Sequence, residues 1–153
     1  MASNDIKTIF KVIVNEYEMG EYFSISEKNK FHESIIASDM VISASGTAIL
    51  ESALLERPTI AAYKVSSSSY FILKALVKTE YFTLPNILLE ENIIPEYIQN
   101  FDENDLYKKA FQILSDEKLR ESMVLKMKKI RKILSKNANY QAAHELVNLH
   151  EKE

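Results

Sequence analysis

Cysteine is absent from this chain, which excludes disulfide bonds and thiolate chemistry and makes the cytosol the natural compartment. Tryptophan is absent too, and histidine occurs three times, as His32, His144 and His150. So few imidazoles, with no thiolate beside them, leave little from which to build a zinc site. Glycine is scarce: Gly20 and Gly46 are the two in 153 residues. No stretch approaches the roughly 18 apolar residues that a membrane-spanning helix needs. The start, MASNDIKTIF, has neither the basic opening nor the continuous apolar run of a signal peptide. A basic excess is lacking as well. The net charge of −3 gives no overall attraction to nucleic acid, and no aromatic residues interleave with the one dense basic run.

What remains is an ordinary globular composition, 46% hydrophobic and 27% charged, in a chain long enough for one domain with a real core. Apolar residues at 6, 9, 10, 13 and 14 have helical spacing, although their β-branched content leaves a strand open. Gly20 breaks that segment, and Tyr22 to Ile25 reads as a short strand. Residues 28–38 suit a helix with Phe31, Ile35 and Ile36 inward, followed by a short buried strand over 40–43.

Residues 47–56 carry Ile49, Leu50, Ala53 and Leu54 on one helical face, and Arg57-Pro58 stops the pattern. Residues 59–63 then read as the next buried strand. Strand, helix, strand at this spacing is a βαβ unit, which implies a parallel sheet and a right-handed crossover. Residues 66–69 read as a polar loop and 70–78 as a helix. Two further helices are expected over 103–114 and 116–136. The second carries a stripe of Leu119, Met123, Met127, Ile130 and Leu134.

The segment SASGTAILES, residues 43–52, places Gly46 between the strand-like and the helix-like run. Unpaired amides at a helix start, with the positive end of the helix dipole, favour an anion such as phosphate. Gly46 would admit a ligand close to the backbone or adopt a positive φ. Ser45 and Thr47 would cap the helix or donate to a ligand, and the Glu51 carboxylate would accept from a pair of sugar hydroxyls. The same residues also make a good helix start with no ligand at all, Glu51 then favouring the dipole. No Lys-Ser or Lys-Thr follows, so this is not a full P-loop.

Three blocks in order, ASDMVISASGTAILESALLERPTIAAYK (37–64), LVKTEYFTLPNILLEENIIPEYIQ (76–99) and NANYQAA (137–143), resemble the lipid-A-disaccharide synthase family of GT-B glycosyltransferases. The resemblance covers the donor-binding, C-terminal part of such enzymes. It implies the fold class α/β: a partial Rossmann-like (GT-B C-terminal) parallel sheet with flanking helices and a long helical C-terminus. The expected organisation is a partial nucleotide-sugar-binding domain over 1–115, with C-terminal helices over 116–153 packing on it or on a partner subunit.

The family reaction joins the sugar of UDP-diacylglucosamine to diacylglucosamine 1-phosphate through a β-1,6 linkage, releasing UDP, with no metal and no cofactor. By position, the resemblance assigns Ser45, Gly46 and Thr47 to the diphosphate and Glu51 to the ribose. It makes Asn86 the catalytic-site candidate in this chain, orienting a sugar or an acyl amide; the alternative is a helix cap after Pro85. Glu96 and Gln99 follow as weaker UDP-sugar contacts, which an exposed helix surface would explain as well. Tyr63 stands at the carboxyl edge of the sheet as contact or core. Asn137 and Gln141 either complete a partner's nucleotide site or end a solvated helix.

The catalytic base is expected in an acceptor half that this sequence does not contain, so the chain reads as a piece that is inactive alone. The implied partners are the two lipid substrates and an N-terminal acceptor-domain partner or a second copy. Lys126 to Lys132 reads as a solvated face, with contact to anionic headgroups as the alternative. The implied location is cytoplasmic, peripheral at the inner membrane. Two other readings stay open here: a UDP-binding module without chemistry, and an inert relic.

Overall fold

The structure is a computed structural model that describes residues 4–44, 46–64, 80–135 and Asn148. The loop and helix expected over 66–78, together with Ser45, Asn137 and Gln141, lie outside the described residues. The chain divides into two compact units, Met1–Ala37 and Ser38–Glu153.

In the first unit α1 (Asn4–Glu16) takes the helical alternative of its apolar pattern. Phe10 from this helix meets Phe23 edge-on, with ring centroids 5.7 Å apart. The strand expected over Tyr22–Ile25 does not form. Residues 20–22 make a 3-10 turn, and among the described residues no strand pairs with the extended ones that follow. A 3-10 turn at Lys28–Lys30 then leads into α2 (Phe31–Ala37), which buries Ile35, while Phe31 and Ile36 are exposed.

The second unit is α/β. Strands β1 (Val41–Ser43), β2 (Thr59–Tyr63) and β3 (Glu96–Ile98) form a parallel sheet in the order β1-β2-β3. The register pairs Ser43 with Ala61 and Tyr63 with Ile98. Between β1 and β2 runs α3 (Gly46–Leu54), as the βαβ reading requires. The helix α4 (Leu84–Leu89) precedes β3, with Pro85 in its first turn, where a missing amide hydrogen costs nothing. Strand β1 is less buried than its sequence implies, since Ile42 is 51% exposed. Strand β3 was not expected at all: Glu96 and Gln99 stand in and just after a strand, not on a helix surface.

After β3 come α5 (Glu103–Ser115) and α6 (Glu117–Leu134). Asp102 and Asp116 cap them by accepting the amides of Asn104 and Leu119. Met123, Met127 and Ile130 of the α6 stripe join Ile49, Ala53, Ile60, Ala61, Ile94 and Ile113 in one core, while Leu134 at the helix end is exposed. Each fully buried isoleucine or methionine contributes about 1.5–3 kcal/mol.

The shortage of glycine has a local consequence. Helices α1, α3 and α4 each close through a residue with positive φ, a place glycine usually takes. Here Glu18 (φ 53°), Glu56 (φ 59°) and Glu90 (φ 51°) do it. The Arg57 amide bonds back to the Ser52 carbonyl and the Glu91 amide to the Asn86 carbonyl, so the helix ends are satisfied in the same way. Neither glycine has a positive φ.

Candidate functional site

In a parallel sheet, ligands gather where the strands end and their chains turn away. Here β1 runs through Ala44 into Gly46 and α3. Strand β2 ends in Tyr63-Lys64, and β3 ends in Ile98-Gln99. Of the residues singled out in the sequence, the fold therefore gathers Gly46, Thr47, Tyr63 and Gln99 along one edge.

Gly46 is the first residue of α3 and is exposed. It does not use the freedom of a positive φ; what it leaves is room, since a Cβ built there would meet none of the described residues beyond its own helix within 4 Å. The amides of the first helical turn have no partners within the helix, and the positive dipole end faces the same space. Thr47 follows, exposed, and Glu51 lies half-buried one turn further along.

Tyr63 has its phenol pushed above the usual 10.0, first by burial and then by the Glu96 carboxylate on the same face of the sheet. It is thus a neutral donor at any ordinary pH, and its hydroxyl bonds to none of the other described residues. The Gln99 amide donates to the Tyr63 carbonyl at 3.0 Å, tying the ends of β2 and β3. Gln99 does so with φ 68°, a left-handed conformation that costs a non-glycine residue about 1–2 kcal/mol. Beyond it, Lys64 holds its ammonium 5.2 Å from the centroid of the Phe101 ring.

Asn86 and Glu96 form a second cluster. Asn86 is fully buried. Its carboxamide oxygen accepts the amides of Ile93 and Ile94 at 3.0 and 2.9 Å. Its nitrogen donates to the Ile94 carbonyl at 2.8 Å and to Glu96 Oε1 at 2.9 Å. Glu96 also accepts the amides of Phe82 and Thr83, at 3.1 and 2.8 Å. Both side chains thus bridge the segment entering α4 to the one entering β3. Asn86 does not cap α4: Thr83 is the cap residue, and it makes no side-chain cap bond.

The basic run on α6 is partly spent within the unit. Lys126 pairs with Glu91, while Lys128 and Arg131 lie 4.0 and 3.5 Å from Glu56. A concavity of about 250 Å³ is lined by Asp39, Glu56, Arg57, Glu117, Arg120 and Glu121. Asp39 and Arg57 precede their strands, so it opens at the amino edge, away from the α3 start.

Sequence reasoning missed Lys64 and Phe101 as a pair, because they come together only once β2 and β3 align. Lys64 had one available signal, its place directly after a strand in a βαβ unit.

The family model described as Lipid-A-disaccharide synthetase matches residues 1–148. The lipid-A-disaccharide synthase of Pasteurella multocida is 35% identical over 129 residues, 81% of this chain and 33% of that protein. That of Hahella chejuensis is 35% identical over 120 residues, 78% of this chain and 30% of the relative. The Hydrogenovibrio crunogenus enzyme reaches 38% over 115 residues, 74% and 31% respectively. The chain spans about a third of the length of these curated relatives. It belongs to the lipid-A-disaccharide synthetase family.

Proposed function

We propose that this chain is the donor-binding part of a glycosyltransferase of lipid A biosynthesis, holding UDP-diacylglucosamine at the carboxyl edge of its sheet. The observation that supports the reading is the corner at Gly46, where the start of α3 coincides with space beside its first residue. In this reading the diphosphate lies over Gly46 and Thr47, with Ser45 beside them. Glu51 accepts from the ribose hydroxyls, and Tyr63 and Gln99 border the nucleotide. Asn86 and Glu96 act as positioning residues, setting the segment that leads into α4. Asn137 and Gln141 complete the nucleotide site from the C-terminal block.

The acceptor, a diacylglucosamine 1-phosphate, is held by the remaining two thirds of the family's length, which also supplies the base. The chain alone binds donor and does not turn it over. Among the described residues no helix is long and apolar enough to cross a membrane. Contact with the lipid substrates at a membrane surface falls to Lys129 and Lys132, the cations of the basic run that no described carboxylate pairs with.

Two experiments test the reading. Calorimetry with UDP should show binding that Glu51→Ala weakens; identical heats for both proteins would dispose of the ribose assignment. Mixing the chain with a separately purified acceptor part and both sugar lipids should release UDP, and no release would count against the enzymatic role.

A further inference from the structure

We draw no further inference here: the strongest candidate, the exposed apolar stripe of Tyr107, Phe111 and Leu114 along α5, is a helix face with nothing in the structure to show what covers it.

Discussion

Asn86 donates a 2.9 Å hydrogen bond to Glu96, and that contact fastens α4 to β3. With the amides of Ile93, Ile94, Phe82 and Thr83 drawn onto the same two side chains, the whole turn between helix and strand depends on them. Truncating Asn86 to alanine leaves two buried amides and one carbonyl without this partner. The expected loss is about 3 kcal/mol, read from urea denaturation. Asn86→Asp should lose at least as much, because it sets a second carboxylate against Glu96. A change below about 0.5 kcal/mol would show that the network is dispensable.

The left-handed helix closures make an opposite prediction. Glu90 adopts φ 51° and is exposed, so Glu90→Gly relieves steric cost at the price of a looser unfolded chain. The net effect should be stabilisation by roughly 0.5–1 kcal/mol, seen as a higher midpoint in thermal melts. Glu56→Gly should gain less, because it also gives up the pairing with Arg131 and Lys128.

On α6, Met127 is fully buried and Leu125 is 63% exposed. Met127→Ala should cost about 2–5 kcal/mol by opening a cavity in the shared core, whereas Leu125→Ala should stay within about 0.5 kcal/mol. Comparable losses at both positions would contradict the packing of this helix onto the core.

Tyr63 sets an alkaline limit. Its folded form holds the phenolic proton more tightly than the unfolded chain does, so stability is unaffected while both states are protonated. It falls once the pH passes 10.0, where the unfolded chain begins to release that proton. Tyr63→Phe, with no proton to lose, should flatten the decline measured between about pH 9 and 11. An unchanged slope would show that Tyr63 is not the titrating group.

Much of the fold follows from local pattern. Strand β2 matches its expected bounds because Pro58 halts one helical face and a threonine, three apolar residues and a tyrosine follow. Strand β3 escaped because it is short, opens with a glutamate and follows a proline. Its place is set by pairing with β2 and by the donors that gather on Glu96. The reverse error, a strand over Tyr22–Ile25, shows that a short strand-like run makes no sheet when no described strand pairs with it. At the site, strand ends are visible in sequence, so Gly46, Thr47 and Tyr63 could be placed along the edge. The partners of Asn86 and the ring under Lys64 could not, since these contacts arise only after the strands have aligned.

The central claim is that a nucleotide sugar lies against the backbone at Gly46, and one variant tests it most directly. Apart from its chain neighbours and its own helix backbone, a methyl group at position 46 meets no atom of the described residues within 4 Å, so Gly46→Ala should fold and melt like the parent chain. Where a diphosphate must approach that backbone, the same methyl stands in its way. The account predicts that calorimetric affinity for UDP drops about tenfold or more with no loss of stability. Undiminished UDP binding by Gly46→Ala would contradict it.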